Sequence, residues 1–194
     1  SMAAGVGTMM KKAYVGGTLA ANPLSSYAGY CAIQEIEKTD AIMKKQTYAE
    51  DIFVGYRWAD KFDRKPTFPF GHGLSYTTFE YGDVTLDKSS MRKSGKIVAS
   101  VEVRNTGSVY GGEIVQLYIG DDESSVERPV RELKGFAKVF LNPGESKVVE
   151  FEIDRSALSY FDAEKHDWKA EKGAFTAYVG SSSRNLHSKA HFSL

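Results

Sequence analysis

The sequence predicts an all-β protein, a two-sheet sandwich of the immunoglobulin type with about seven strands, preceded by an extended N-terminal arm. From residue 79 to the end of the chain, apolar side chains alternate with polar ones in short runs, as they do in strands with one buried face. Turn-forming residues separate these runs at intervals of roughly 8 to 12 residues or somewhat more, a spacing typical of a sandwich. No internal repeat or low-complexity tract competes with this interpretation.

The length and composition of the chain predict one well-packed hydrophobic core. The 194 residues are 42% hydrophobic and 12% aromatic, which suits one sandwich with an appended arm better than two full domains. Lys plus Arg and Asp plus Glu both number 25, so a formal net charge of zero offers no field to attract nucleic acid or an anionic membrane. We expect neither partner. The single cysteine, Cys31, excludes an internal disulfide, so packing alone must hold the sandwich.

Residues 1–45 are predicted to be poorly ordered or irregular. They are rich in small residues and show no sustained period, so they offer little apolar area to offset the entropy lost on ordering. Residues 16–18 and 22–23 interrupt the apolar run after Lys12, which argues against a signal peptide. No stretch approaches the ~20 apolar residues needed to span a bilayer. The localisation stays open on these grounds.

Residues 46–78 are predicted to form an extended arm followed by an aromatic junction. Within residues 48–58, β-branched and aromatic residues recur with period two, so their side chains would share one side of an extended chain and need a partner surface. Residues 60–65 have the composition of a charged turn. In residues 66–79 prolines and glycines forbid a regular helix, while four aromatic side chains are costly to leave in water. We expect an ordered, buried, irregular segment there.

The sandwich itself is predicted to occupy residues 79–194. Its strongest turn signal is residues 142–144, Asn-Pro-Gly, which we interpret as a hairpin turn. The alternation predicts strands around residues 84–86, 97–103, 115–119, 131–141, 149–153, 175–179 and 190–194.

The usual signatures of enzymes are missing from the sequence. It has no Gly-x-Ser-x-Gly elbow, no phosphate-binding glycine-rich loop and no His-Glu-x-x-His. His187 and His191 would lie ~13 Å apart on a strand, too far to ligate one metal ion, so we expect both at the surface. The acidic residues of the arm imply no pocket in which two carboxyls could act as acid and base. We predict no catalytic residue, no metal site and no cofactor.

The candidate site residues surround the junction. The aromatic ones could form a platform that stacks on sugar rings, or they could attach the arm to the sandwich or to a further domain, which is the interpretation that we favour. His72, between two glycines, could donate a hydrogen bond to a sugar or a neighbouring domain; we favour a structural histidine that ties the loop to backbone carbonyls. The candidates for a carbohydrate or domain contact are Tyr56, Arg57, Trp58, Phe68, Phe70, His72 and Tyr76.

A series of sequence blocks carries a resemblance to a known family. The blocks are residues 48–58, 68–79 (Phe-Pro-Phe-Gly-His-Gly-Leu-Ser-Tyr-Thr-Thr-Phe), 103–107 (Val-Arg-Asn-Thr-Gly), 112–118, 128–136 and 179–183. In this order they closely resemble the C-terminal fibronectin type III-like domain of glycoside hydrolase family 3 enzymes, notably β-glucosidases. The resemblance covers about residues 46–194.

The resemblance implies a retaining β-glucosidase as parent or relative. In that family the catalytic nucleophile and the acid/base residue belong to two preceding domains, neither of which this sequence contains, so no catalytic residue carries over to it. We therefore expect a non-catalytic accessory module that supports catalytic domains or oligomer contacts, with those domains or a second copy of the chain as partner. A free-standing carbohydrate-binding module, or a self-associating one, is the alternative. If the chain is like the family, it is periplasmic or secreted.

Overall fold

The computed structural model describes residues 51–92 and 94–194, so the expectations for residues 1–45 lie outside the described residues. In the described part, two short helices and ten strands follow one another. The helices are α1 (Tyr56–Lys61) and α2 (Arg155–Leu158). The strands are β1 (Phe79–Tyr81), β2 (Thr85–Leu86), β3 (Ile97–Asn105), β4 (Gly111–Asp121), β5 (Glu132–Leu141), β6 (Ser146–Ile153), β7 (Tyr160–Asp162), β8 (Asp167–Lys169), β9 (Ala174–Gly180) and β10 (Leu186–Ser193).

Two four-stranded antiparallel sheets form a sandwich, which confirms the predicted all-β fold. In the first sheet β3 pairs with β1 and β2 on one side and with β6 on the other. The second sheet has the order β10-β9-β4-β5. A separate two-stranded hairpin, β7-β8, follows α2. The strands that the alternation did not predict, β1, β7 and β8, have three residues each, too few to show a period.

The core between the sheets is built from alternate positions of the long strands. On β3, Ile97, Ala99, Val101 and Val103 are all buried, as the period-two pattern predicts. Each large apolar side chain removed from water in this way contributes about 1.5 to 3 kcal/mol. The core residues contributed by the facing sheet include Val115, Leu117, Ile119, Val139, Leu141, Phe175, Ala177 and Val179.

The turn at residues 142–144 has the predicted chemistry but does not close a hairpin. Gly144 adopts a φ of +77°, and the backbone N–H of Glu145 donates to the carbonyl of Asn142 at 3.0 Å. However, β5 belongs to the second sheet and β6 to the first, so the chain crosses between sheets here. The hairpin prediction was wrong because turn chemistry specifies the local reversal and not the strand with which the next segment pairs.

The prediction of an extended arm is wrong for residues 56–61, which form α1. The helix starts after Gly55, whose φ of +61° lies in the left-handed region. The period-two pattern misled because a short apolar run fits more than one secondary structure. In the helix, Tyr56 and Asp60 are four residues apart and share one face, which packs on the second sheet.

The expected burial of residues 66–79 is also wrong within the described part of the chain. Leu74 is 93% exposed, Tyr76 is 100% exposed, and Phe68 is largely exposed as well. The backbone is irregular as predicted, but the described residues supply no surface to cover these side chains. The expectation failed because it assumed that the sandwich would provide that surface.

A buried asparagine at the end of β3 links three segments of the chain. The Asn105 side chain is fully buried, and its carbonyl oxygen accepts from the Thr77 hydroxyl at 2.6 Å and from the Gly107 N–H at 3.0 Å. Its amide donates to the carbonyls of Val109 at 2.8 Å and Leu141 at 2.9 Å. The junction, the β3–β4 loop and the end of β5 are thereby fixed to one side chain.

Replacing this asparagine should destabilise the fold strongly. Asn105→Ala leaves several buried polar groups without partners, so we expect the free energy of unfolding to fall by on the order of 3 kcal/mol in urea denaturation. Asn142→Ala is the control, because the Asn142 side chain bonds only to Glu145 in the described structure and is exposed; its loss should stay within about 1 kcal/mol. Equal losses in the two variants would contradict the proposed role of Asn105.

A tyrosine, a glutamate and a histidine connect the two sheets at one edge. The Tyr81 hydroxyl on β1 donates to Glu113 Oε1 on β4 at 2.8 Å, and the Tyr81 ring stacks on His187 of β10 with centroids 4.1 Å apart. Burial raises the pKa of Glu113, and the hydrogen bond from Tyr81 offsets only part of that effect. Burial and the nearby Glu113 charge raise the pKa of Tyr81 well above its ordinary range, so the tyrosine remains a donor.

Glu113 should make stability depend on pH. Because its folded-state pKa is raised, its contribution is fully present below the ordinary glutamate pKa and is lost as pH rises through the folded-state pKa. Glu113→Gln keeps an acceptor for Tyr81 but cannot ionise. We expect the stability of the variant relative to the natural protein to increase from about pH 4 to about pH 7, as measured by urea denaturation. A difference that is constant over this range would refute the assignment.

Candidate functional site

The candidate site lies on the face of β4 that points away from the core. Val115, Leu117 and Ile119 point into the core, yet Gln116 and Tyr118 between them are also buried. A strand in an antiparallel sandwich commonly exposes its second face to water, so another part of the chain must cover this one. Residues 56–72, called the lead-in segment below, provide part of this cover.

Aromatic contacts hold α1 on this face. The Tyr56 ring stacks on Phe70 with centroids 4.8 Å apart and meets Tyr118 edge to face at 5.9 Å. The Tyr56 hydroxyl accepts the Leu133 N–H at 2.9 Å. Edge-to-face and offset-stacked pairs of this kind contribute about 0.5 to 1.5 kcal/mol beyond the area that they bury. Tyr56 is therefore a packing residue and does not face solvent as a platform would.

Gln116 anchors the glycine-rich turn of the junction. Its amide donates to the carbonyls of Gly71 at 3.3 Å and Ser181 at 2.7 Å, and its carbonyl oxygen accepts from the Tyr118 hydroxyl at 2.6 Å. Gly71 has a φ of +79°, and a Cβ there would collide with the Gln116 amide. Only glycine fits this close approach. Burial raises the pKa of Tyr118 above its ordinary range, which keeps the hydroxyl a donor.

A buried carboxylate fixes the end of α1. The Asp60 side chain is only 2% exposed, with Oδ1 at 2.7 Å from Arg184 Nε and Oδ2 at 3.1 Å from Arg131 Nη2. Both contacts are ionic, since their angles fall outside hydrogen-bond geometry. Arg184 also donates to the carbonyls of Ala59 at 2.8 Å and Arg64 at 3.2 Å. Composition predicted a charged turn at residues 60–65, whereas Asp60 lies in α1, and no signal in the sequence indicates its two partners.

A second charged cluster holds the start of α1. Arg57 Nη2 lies 3.0 Å from Glu132 Oε1, and Arg128 Nη2 lies 2.9 Å from Glu132 Oε2. Burial would raise the pKa of Glu132, but the charge of Lys134 and the hydrogen bond from Arg128 outweigh it, so the pKa is lowered. Burial lowers the pKa of Lys134, and Glu132 opposes that effect. The predicted site residue Arg57 is thus an attachment of α1 to β5.

The remaining candidate aromatic residues form separate pairs. Trp58 and Phe62 have centroids 5.4 Å apart with planes tilted by 50°, and Phe68 stacks on His72 at 5.3 Å. The His72 ring makes no hydrogen bond to any described residue; its backbone N–H donates to the Pro69 carbonyl at 3.0 Å. Within the described residues, the carbonyls of Phe70 and Gly71 tie the loop to the sandwich, and the structural role favoured for the His72 ring stays a prediction.

One edge of the junction remains without cover in the described structure. Phe68, Phe70, Leu74 and Tyr76 are all exposed, and Leu74 and Tyr76 are exposed almost completely. Adjacent exposed apolar side chains of this size mark contact surfaces in soluble proteins. We call these four residues the aromatic edge. Tyr56 and Arg57 point toward the second sheet, where they contact Tyr118 and Glu132, whereas this edge faces outward.

Residues 51–92 and 94–194 contain no group of three or more His, Cys, Asp and Glu side chains that could hold a metal ion. In the same part of the chain, no helix has the length and apolar character needed to cross a bilayer.

Comparison with known proteins finds a family model and relatives that match part of this chain. A family model described as a fibronectin type III-like domain matches residues 113–183. Thermostable β-glucosidase B of Acetivibrio thermocellus is 52% identical over 139 residues, which is 72% of this chain and 18% of that protein. A β-glucosidase of Bacteroides ovatus is 51% identical over 148 residues, 76% of this chain and 20% of that protein. The chain thus spans about a fifth of the length of these relatives.

Solved structures agree with these matches. A β-glucosidase from Kluyveromyces marxianus in complex with glucose has 47% sequence identity and a TM-score of 0.70, over 76% of this chain and 18% of that one. A GH3 β-glucosidase from Bifidobacterium adolescentis has 39% identity and a TM-score of 0.71, over 76% of this chain and 21% of that one.

Removing the buried carboxylate should loosen the lead-in segment. Asp60→Asn leaves Arg131 and Arg184 without their shared counter-charge, so we expect a loss of on the order of 3 kcal/mol in the free energy of unfolding, measured in urea. Asp63→Asn is the matched control, because the Asp63 carboxylate also pairs with Arg184 but is 94% exposed. Its loss should stay below about 1 kcal/mol. Similar losses in both variants would show that burial of Asp60 does not matter.

Proposed function

The chain carries a fibronectin type III-like domain and its relatives are glycoside hydrolase family 3 β-glucosidases, and from this premise we propose that it is a non-catalytic accessory module of such an enzyme. The module would support the catalytic domains or take part in oligomer contacts. The observation that carries this proposal is the attachment of the lead-in segment to the sandwich. The aromatic edge, which begins within this segment at Phe68, faces outward.

The rigidity of the lead-in segment supports a role in mechanical support. Asp60 and Glu132 attach α1 through ion pairs at both of its ends, and Gln116 attaches the glycine-rich turn. A contact surface on such a segment holds its partner at a defined position, which a flexible linker does not do. The partner that fits is a folded domain with an apolar surface complementary to Phe68, Phe70, Leu74 and Tyr76.

The electrostatics of the described carboxyl groups favour a non-catalytic role. Glycoside hydrolysis needs a carboxylic acid with a raised pKa next to a second carboxylate in a pocket. The pKa of Glu132 is lowered, in the direction opposite to that of a general acid. Glu113 has a raised pKa, but it bonds to Tyr81 at the contact between the two sheets. Neither group is arranged as a proton donor to a glycosidic oxygen.

The proposal can be tested in a chimera. In β-glucosidase B of Acetivibrio thermocellus, the matching region is replaced by residues 46–194 of this chain, and hydrolysis of an aryl β-glucoside is measured. We expect activity in the chimera and none in the isolated chain, because the catalytic groups belong to other domains. Turnover by the isolated chain that is abolished by changing one of its carboxylates would overturn the proposal.

The same chimera locates the contact surface. Combined Leu74→Ser and Tyr76→Ser should lower the Tm of the chimera by several degrees, while the Tm of the isolated chain stays unchanged because both side chains are already exposed there. Val148→Ser, on the outer face of β6, is the control and should change neither value. If light scattering instead shows a dimer of the isolated chain that the double substitution dissociates, the aromatic edge serves a second copy.

A further inference from the structure

The hairpin β7-β8 presents two aromatic rings on its outer face. Phe161 and Trp168 are directly opposed in the register of the hairpin, so their side chains share one face. Their centroids are 5.8 Å apart and their planes meet at 74°, which makes a nearly perpendicular corner. Trp168 is 68% exposed, and Phe161 is half exposed. No residue in the described part of the chain covers either ring fully.

The opposite face of the hairpin attaches it to the sandwich. Tyr160 and Lys169 are opposed in register on that face, and both bond to Glu171 Oε1, at 3.2 Å and 2.6 Å. The Ser125 hydroxyl also donates to this oxygen at 2.6 Å, and the Arg128 guanidinium lies over the Tyr160 ring at 5.7 Å. The hydrogen bonds from Lys169 and Ser125 lower the pKa of Glu171 to about 2, so the carboxylate stays charged.

Hairpin stability alone does not account for the exposed pair. A cross-strand aromatic pair contributes roughly 0.2 to 1 kcal/mol. An isolated two-stranded hairpin is marginal, but this one is already held by the contacts of Tyr160 and Lys169. A tryptophan that is mostly exposed in the middle of a fixed hairpin, next to a second exposed ring, therefore indicates a contact with a ligand or partner.

The size of the corner favours a small ligand. A stable protein interface buries about 800 Å² per partner, with 20 to 30 residues on each side. A buried aromatic side chain contributes about 150 to 250 Å² of buried surface area. Two partly exposed rings therefore offer only a fraction of the area of such an interface. The residues around them are polar and exposed, among them Glu164, Lys165 and Asp167.

The surrounding groups match a sugar. A pyranose ring has an apolar C–H face and a rim of hydroxyl groups, so it can lie flat on one aromatic ring while its edge meets a second. The indole N–H of Trp168 belongs to a side chain that is 68% exposed, and it can donate to a hydroxyl. The exposed carboxylate of Glu164, in the turn of the hairpin, can accept from another hydroxyl.

We propose that the corner formed by Phe161 and Trp168 binds one hexopyranose unit of a polysaccharide. The site is separate from the aromatic edge, and it does not depend on the accessory role proposed above. A single stacked sugar gives weak binding, in the millimolar range of dissociation constants. In a longer protein such a site would increase the local concentration of polysaccharide near the other domains.

NMR titration of the chain with cellotetraose tests the proposal. The sequence contains two tryptophans, so the indole signal of Trp168 reports on the corner and that of Trp58 reports separately on the Trp58–Phe62 pair of the lead-in segment. We expect the Trp168 signal to shift with a millimolar dissociation constant while the Trp58 signal does not move. Trp168→Ala should weaken binding at least about tenfold, or about 1.4 kcal/mol. Phe136→Ala is the matched control, because Phe136 is 70% exposed on β5; it should bind like the natural chain.

Several outcomes of this titration would contradict the proposal. No shift at about 10 mM sugar, shifts confined to Trp58, or equal weakening by Phe136→Ala would each overturn it. Trp168→Phe retains a ring and should bind more tightly than Trp168→Ala; it replaces that variant if circular dichroism shows that Trp168→Ala is unfolded. A chimera that is destabilised by Trp168→Ala, without any sugar binding by the chain, would assign the corner to a protein contact.

Discussion

The position of the lead-in segment depends on the Asp60 carboxylate, which lies between Arg131 and Arg184. One arginine precedes β5 and the other lies between β9 and β10, so the carboxylate fixes α1 relative to two separate parts of the second sheet. A buried charge is tolerated only when it is paired, so the Asp60 carboxylate needs these arginines as counter-charges. With α1 fixed, Tyr56 can reach Tyr118, and the glycine-rich turn can reach Gln116.

The consequence is that part of the molecule has three layers. The two sheets enclose the core, and the lead-in segment forms a further layer over the outer face of β4. This arrangement explains why β4 is buried on both faces, although antiparallel strands commonly have one exposed face. It also explains the use of side chains with both polar and apolar parts at Gln116 and Tyr118, which must satisfy hydrogen bonds under that layer.

The sequence was most informative where one physical effect dominated. Alternation on β3 and β4 predicted buried strands because burial between two sheets repeats every second residue. Long-range pairing was not predictable: the Asn-Pro-Gly turn gave the reversal but not the crossing to the other sheet. The junction was found by composition, yet the partners of Asp60 lie more than 70 residues away in the sequence, and no local pattern encodes them. The exposure of Tyr76 depends on what other surface is present.

The crossing between β5 and β6 also has a consequence for the speed of folding. Neighbouring strands β5 and β6 do not pair with each other. Instead β6 pairs with β3, and β4 pairs with β9, although several elements separate the members of each pair in the sequence. Such distant pairings require the closure of long loops before any contact compensates for the entropy lost. A domain with this topology is expected to fold in roughly milliseconds to seconds, which places it among the slow folders of its size. During synthesis, β4 and β5 would leave the ribosome before β9 and β10, so the second sheet could form completely only after β10 had been synthesised.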